Sequence, residues 1–189
     1  MIKDQDFIKN PEVPGPTKEE VRCILMCKSQ VSKNQVVVDI GCGTGGLTVE
    51  FAKRAKTVYA IDINPMAIKT TIENIQKHNV DRNVEIIEAD GLYVLDELEN
   101  IDILMIGGSS GKLAKLIRKG YGKLNNGGKI LVTSILLETA TEAISTFKNL
   151  SLTPDVVNVN ISKGKMGKTG TMLMANNPIT IISAQKPLK

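Results

Sequence analysis

The stretch Val36-Val37-Val38-Asp39-Ile40-Gly41-Cys42-Gly43-Thr44-Gly45-Gly46 decides the fold. A β-branched apolar run stops at an aspartate and breaks into a glycine-rich turn, and a helix-like segment over 47–55 follows at once. Strand, tight glycine turn and helix N-terminus, in that order, form the unit with which an α/β sheet grips a nucleotide. On the C-terminal side the chain keeps alternating. Strands are expected at 57–62, 84–90, 101–107 and 129–135, and helices near 46–55, 66–79, 91–98, 110–124 and 137–149. Such alternation implies a mostly parallel sheet covered on both faces. Asn125-Asn126-Gly127-Gly128 reads as a turn that supplies positive φ before the fifth strand. After residue 150 the alternation stops. Segments 155–162 and 179–184 both read as strands with no helical pattern between them, so they must pair antiparallel.

The spacing narrows the nucleotide. Asp39, Gly41, Gly43 and Gly45 spell D-x-G-x-G-x-G, which resembles motif I of the Rossmann-like S-adenosyl-L-methionine (SAM) methyltransferases. Gly41, Gly43 and Gly46 also satisfy G-x-G-x-x-G, so an NAD-binding oxidoreductase stays open on the glycines alone. A six-strand dinucleotide fold would not end on an antiparallel pair. The Rossmann-like methyltransferases do, with an antiparallel strand inserted beside the fifth. The expectation is therefore an α/β class I methyltransferase fold in one domain over 1–189. Its seven-stranded sheet is mostly parallel with an antiparallel last strand, and helices cover both faces.

Composition bounds the rest. The chain has 189 residues, 42% of them apolar and 23% charged, which suits one globular domain with a sizeable core. No apolar run reaches bilayer length, and the first six residues lack the apolar core of a signal peptide, so a cytoplasmic protein without a membrane partner is expected. The three cysteines form no disulfide framework, and Cys23 and Cys27, four apart on a helix, read as small buried apolar residues. His78 is the single histidine, falls near a helix end and reads as a cap, so no metal site is expected. A net charge of +4 suits an acidic ligand, while 3% aromatics and no Trp make a poor inventory for stacking bases; no nucleic-acid partner is expected.

Ligands in such sheets bind at the carboxyl ends of the strands near the point where strand order reverses. Asp39, at the base of the glycine loop, can orient loop amides or a ligand ammonium, or act as a buried turn acceptor. Asp62 ends the second strand, where a carboxylate can accept both hydroxyls of a ribose. Asp90, followed by Gly91, can accept an adenine amine, or cap the following helix. Upstream, Pro14-Gly15-Pro16 is a rigid loop, and Thr17-Lys18-Glu19-Glu20 reads as a capping box opening a helix to about residue 29. This N-terminal loop and helix, 1–30, can fold over the ligand mouth.

Two further segments bear on the methyl acceptor. Gly107-Gly108-Ser109-Ser110-Gly111 lacks the Pro-Pro-aromatic tetrapeptide of amino methyltransferases and reads as an anion cradle of bare amides at a helix start. The basic, glycine-rich segment 163–177 carries Lys163, Lys165 and Lys168 and is too long for a plain hairpin. It suits a ligand with carboxylates and a broad apolar face, or is a mobile surface loop.

Pro14-Gly15-Pro16-Thr17-Lys18-Glu19-Glu20-Val21-Arg22, the glycine motif, Ile106-Gly107-Gly108-Ser109, Thr133-Ser134-Ile135-Leu136-Leu137-Glu138-Thr139 and Asn176-Asn177-Pro178 together resemble the small, free-standing cobalt-precorrin C-15 methyltransferases of anaerobic cobalamin biosynthesis. The resemblance covers nearly the whole chain. It implies SAM-dependent methylation of a meso carbon of cobalt-precorrin-6B, with loss of carbon dioxide from an acetate side chain, giving cobalt-precorrin-7 and S-adenosyl-L-homocysteine. It also implies SAM contacts at Thr17, Gly41, Cys42, Gly43, Thr44, Gly45, Asp62 and Gly91, and a homotetramer. Where relatives commonly read Gly-Gly-Ser-Gly-Gly, this chain has Ser110 at the fourth position. A tetrapyrrole is fringed with carboxylates, for which Arg22, Gly108, Ser109, Lys163, Lys165 and Lys168 are the candidate holders. Competing acceptors on the same fold are RNA and a protein carboxylate. No protein nucleophile or general base is identified.

Overall fold

The computed structural model describes residues 1–188. In chain order the elements are α1 (Glu19–Ser29), β1 (Val36–Ile40), α2 (Gly46–Ala52), β2 (Thr57–Asp62), α3 (Pro65–Lys77), β3 (Val84–Glu88), α4 (Gly91–Glu97) and β4 (Ile101–Ile106). There follow α5 (Leu113–Lys123), β5 (Leu124–Ser134), α6 (Leu137–Asn149), β6 (Asp155–Val159), β7 (Ser162–Gly167), β8 (Gly170–Ala175) and β9 (Ile179–Gln185). Seven strands form one sheet in the order β3-β2-β1-β4-β5-β9-β6. Six run in one direction, and β9 runs antiparallel to its neighbours β5 and β6, with Leu131 opposite Ser183 and Val157 opposite Ile181. This is the class I methyltransferase fold. The order reverses at β1, which lies between β2 and β4, so the carboxyl ends of these strands open the crevice that holds ligands in such sheets.

Consecutive strand residues point to opposite faces, and both faces are apolar. Val38, Leu104, Ile106, Ile130 and Ile182 pack with Leu95, Ile117 and Phe147 of α4, α5 and α6. Their neighbours Val37, Ile103, Met105, Leu131 and Ile181 pack on the other face with Leu25, Phe51 and Ile75 of α1, α2 and α3. Each such side chain contributes roughly 1.5–3 kcal/mol on burial, so the two layers hold the strand ends in fixed register.

The structure departs from expectation in several places. The glycine turn at 125–128 lies inside β5 as an irregularity: Ile101 pairs with Leu124, Ile103 pairs with Lys129, and Gly127 takes φ 78° between them. The segment after β6 is a hairpin, β7 and β8, joined by a tight turn at Lys168 and Thr169, and not a long irregular loop. Its alternating glycines and lysines hid a two-stranded ladder that packs no core. The capping box at Thr17 does not form. Lys18 takes the N-cap position of α1 without any side-chain cap, and the helix starts at Glu19. Cys23 and Cys27 are exposed, because Val21, Arg22, Leu25, Met26 and Ser29 form the inward face of α1 and leave the cysteines on the other. His78 does take the C-cap of α3, with its ring 4.9 Å from that of Phe7. Among the described residues no helix is long and apolar enough to cross a membrane.

Candidate active site

Two abutting cavities open at the carboxyl ends of β1, β2, β4 and β5. The first has a volume of about 320 Å³. Its floor is the loop Gly41–Thr44, and its flanks are Asp62 at the end of β2 and Asp90 with Gly91 after β3. The strap Val13–Thr17 closes the opposite side. The glycine at 41 is required twice over. Its φ is 72°, and a Cβ there would lie 2.5 Å from the backbone nitrogen of Gly108. The strap sits as tightly on α2, since a Cβ on Gly46 would lie 2.9 Å from the Cβ of Pro16.

Hydrogen bonds hold the glycine loop in shape. Asp62 accepts the Gly43 amide at Oδ2 (2.9 Å) and the Asn64 amide at Oδ1 (3.0 Å). The Thr71 hydroxyl donates to the Gly43 carbonyl (2.8 Å). Asn74 donates to the carbonyls of Thr44 (2.8 Å) and Ile8 (3.0 Å) and accepts the Ile8 amide (2.7 Å). Thr71 and Asn74 were missed in the sequence. The signal was there: buried polar residues at 70, 71 and 74 interrupt the apolar stripe of α3 between Ile68 and Ile75. Among the described residues the buried Thr44 hydroxyl has no partner.

The three aspartates differ. Asp39 is 1% exposed and accepts the Thr48 hydroxyl at 2.7 Å. Among the described residues it makes no bond to a loop amide, and it both acts as a buried acceptor and lines the first cavity. Burial pushes its pKa up to about 6, against the opposing Thr48 hydrogen bond and with a smaller upward push from Asp62. Asp90 caps α4 through the Leu92 amide (2.9 Å), and its other oxygen lies 2.5 Å from the Lys112 ammonium, which holds its pKa below the usual range. Cys42 lines the same cavity, but burial holds its thiol neutral.

Of the residues expected around the donor, Thr17, Asp39, Gly41, Cys42, Gly43, Thr44, Asp62, Asp90 and Gly91 line this cavity. Gly45 is set back from it. With φ 78° it is the N-cap of α2, and it turns the chain behind the cavity wall.

The second cavity, about 600 Å³, shares the strap and the segment Gly107-Gly108-Ser109 with the first and extends toward Thr133, Leu136 and Asn176. Gly108 and Ser109 therefore stand between the two, as a shared wall. Two amides of the expected anion cradle are already taken. The Gly107 and Gly108 amides both donate to the Ile40 carbonyl (2.8 and 3.4 Å). The helix starts later than expected, at Leu113, and Glu142 already accepts its Ala114 amide at 3.1 Å. Ser110 takes φ 46°, the left-handed region that favours glycine.

The expected cationic holders lie elsewhere. Arg22 is fully buried beneath the strap and lines neither cavity. Its guanidinium bonds Asp4 (2.8 Å) and the carbonyls of Thr17 and Ile2, and stacks on Phe7 at 4.7 Å. Lys163 pairs with Glu20 (2.8 Å) and Asp4 (3.6 Å), and Lys165 and Lys168 are exposed on the hairpin. None of the three lines a cavity. A different lysine does. Lys18, read from the sequence only as part of a capping box, lines the second cavity. Among the described residues no three His, Cys, Asp or Glu side chains converge as a metal site.

Comparison with known proteins agrees with this geometry. Residues 15–186 match the family model described as a precorrin methyltransferase domain. A protein of Methanobrevibacter smithii, named a probable cobalt-precorrin-6B C(15)-methyltransferase (decarboxylating), is 48% identical over 98% of this chain and 100% of its own length. A protein of the same name from Methanothermobacter thermautotrophicus is 47% identical over 96% of this chain and 95% of its own. A crystal structure described as precorrin 8W decarboxylase from Methanobacterium thermoautotrophicum superposes with a TM-score of 0.95 at 47% identity, covering 97% of this chain and 99% of that one. The glycine motif is thus a methyltransferase motif and not that of an NAD-dependent oxidoreductase. The chain belongs to the precorrin methyltransferase family.

Proposed function

We propose that this chain methylates the C-15 meso carbon of cobalt-precorrin-6B with SAM as donor. Loss of carbon dioxide from an acetate side chain accompanies the transfer, giving cobalt-precorrin-7 in cobalamin biosynthesis. One observation carries the reading: two cavities of opposite charge share a wall. Asp39, Asp62 and Asp90 line the first, together with no lysine or arginine. Among the described residues one lysine and no carboxylate line the second. Three carboxylates suit a donor that bears a sulfonium and an ammonium. A cationic, partly apolar cavity suits an acceptor fringed with carboxylates.

SAM supplies a methyl group already activated by its positive sulfur. The chain's part is to hold and align. The Gly41–Thr44 backbone, fixed by Asp62, Thr71 and Asn74, gives the donor a close-fitting floor, and the orphaned Thr44 hydroxyl faces the same need for a polar partner. Asp62 and Asp90 keep unused lone pairs for ribose hydroxyls and an adenine amine. Gly108 and Ser109 separate donor from acceptor by backbone alone, so the reacting atoms can approach, and alignment of this kind supplies much of the rate. Among the described residues no His, Asp or Glu lines the second cavity, in keeping with an electron-rich meso carbon that needs no protein base.

The hairpin leaves apolar side chains in solvent, Met166, Met172 and Leu173 among them. They support assembly of copies of this chain, for which we take the homotetramer. The exposed free thiols Cys23 and Cys27 suit a reducing, cytoplasmic setting.

The test is anaerobic incubation with methyl-labelled SAM and cobalt-precorrin-6B, followed by product mass. Gain of one labelled methyl with loss of one carbon dioxide is expected. Methylation without that loss would leave decarboxylation to another enzyme. Label entering RNA or a protein carboxylate instead would replace the acceptor.

A further inference from the structure

We propose that Lys18 is the carboxylate anchor of the second cavity and sets the preference for an anionic acceptor. The assignment rests on reading that cavity as the acceptor's seat. Among the described residues Lys18 is the single cation lining it, and it does not line the first cavity. Among the described residues its ammonium enters no ion pair, whereas the other basic groups nearby are engaged: Arg22 by Asp4, Lys112 by Asp90 and Lys163 by Glu20. No carboxylate of the cavity competes for it. It is half-buried, so its stem can lie along apolar wall while the ammonium turns toward a ligand.

A second observation is independent of the cavity. Lys18 occupies the N-cap of α1, with extended backbone (φ −60°, ψ 148°) and no side-chain cap. The N-cap favours Ser, Thr, Asp or Asn, and the positive end of the helix dipole disfavours a cation. Thr17, one residue earlier, would cap well, yet it faces the cavities as part of the strap. A residue that works against its own helix end, and lines a cavity where no other described residue is charged, marks a functional position. A bound carboxylate would relieve that local repulsion. The neutral groups of Ser109, Thr133, Asn176 and Asn177 remain to meet the other polar edges of the acceptor.

The experiment compares wild type, Lys18→Met, Lys18→Arg and Lys18→Ser. The first readout is equilibrium binding of cobalt-precorrin-6B in the presence of S-adenosyl-L-homocysteine, where no turnover occurs. The others are the steady-state constants with SAM and the thermal midpoint of the free protein. Lys18→Met is expected to weaken acceptor binding about tenfold and raise the acceptor KM alike, with donor affinity unchanged, since a hydrogen bond to a charged group is lost. Lys18→Arg should recover most of the loss, and added salt should narrow the gap between wild type and Lys18→Met. Lys18→Ser should melt above wild type while binding the acceptor as poorly as Lys18→Met, a split that a structural role would not produce. Equal acceptor binding by wild type and Lys18→Met overturns the assignment while leaving methyl transfer standing. Weaker binding in Lys18→Met without any wild-type turnover keeps Lys18 as the anchor and overturns the reaction. Failure of wild type to bind cobalt-precorrin-6B overturns both.

Discussion

Asn74 of α3 ties the N-terminal segment to the glycine loop: its Nδ2 donates to the Thr44 carbonyl at 2.8 Å and to the Ile8 carbonyl at 3.0 Å. One buried amide thereby fixes the floor of the donor cavity against residues that precede the strap. Asn74→Ala leaves the Thr44 carbonyl and both backbone groups of Ile8 without their partner. The expected cost is about 2 kcal/mol of stability and roughly a tenfold loss of SAM affinity. Chemical denaturation and titration calorimetry measure the two; unchanged SAM affinity would detach Asn74 from the site.

Asp39 makes the free protein and its donor complex respond oppositely to pH. Its folded pKa, raised to about 6 chiefly by burial, lies above the ordinary 3.8. The folded state therefore binds the proton more tightly than the unfolded one. Its stabilising contribution is full below pH 3.8 and is lost as pH rises through about 6. Asp39→Asn should stabilise the free protein at pH 7 by up to about 3 kcal/mol. The same change should weaken SAM, whose ammonium loses a carboxylate. Wild-type SAM affinity should fall as pH drops below about 6. Melting and binding measured across pH 5–8 on both proteins check each sign.

Arg22 acts on both cavities without touching either. It carries the Thr17 carbonyl, Asp4 and the Ile2 carbonyl on one guanidinium. Arg22→Met leaves Asp4 with only its longer pair to Lys163 (3.6 Å) and frees the strap, at an expected cost of about 3 kcal/mol. SAM and acceptor should both bind more weakly, unlike the acceptor-only effect expected at Lys18. Selective loss of the acceptor alone in Arg22→Met would return it to the role of direct clamp.

Lys163 provides the contrast. Its pairs with Glu20 and Asp4 are partly exposed, with 42% of the lysine side chain in solvent. Lys163→Ala should cost no more than about 1 kcal/mol and leave the acceptor KM where it is. A tenfold rise in that KM would bring the hairpin back into the acceptor site.

Gly41→Ala tests the contact between the two site loops. Its Cβ would meet the Gly108 nitrogen at 2.5 Å, at a φ of 72° that alone costs an L-residue roughly 1–2 kcal/mol. The chain should still fold, with SAM binding lost. Tight SAM binding by this variant would mean that the loops need not touch.

The difference between Lys18 and Arg22 shows where reading the sequence succeeds and stops. Both follow the Pro-Gly-Pro loop, four residues apart on or beside one helix. Only tertiary packing decides that Arg22 is buried under the strap while Lys18 lines a cavity. The donor loop was legible because its requirements are local: a β-branched strand, then glycines where φ is positive and a neighbouring loop passes within contact. The last strands were legible because two strands without a crossover helix leave one pairing sense. Lys163 is held away from the cavities because it finds Glu20 across the fold, a partner 143 positions away that no local pattern encodes. The amides at 107 and 108 were misread for a similar reason, since their acceptor, Ile40, belongs to another strand.

The most direct test of the account is a crystal structure of this chain with S-adenosyl-L-homocysteine and cobalt-precorrin-6B together. The adenosyl group is expected between Asp62 and Asp90, and the macrocycle beyond Gly108 and Ser109 with a carboxylate on Lys18. A macrocycle seated on the β7–β8 hairpin, or a nucleoside outside the cavity of the three aspartates, would contradict it.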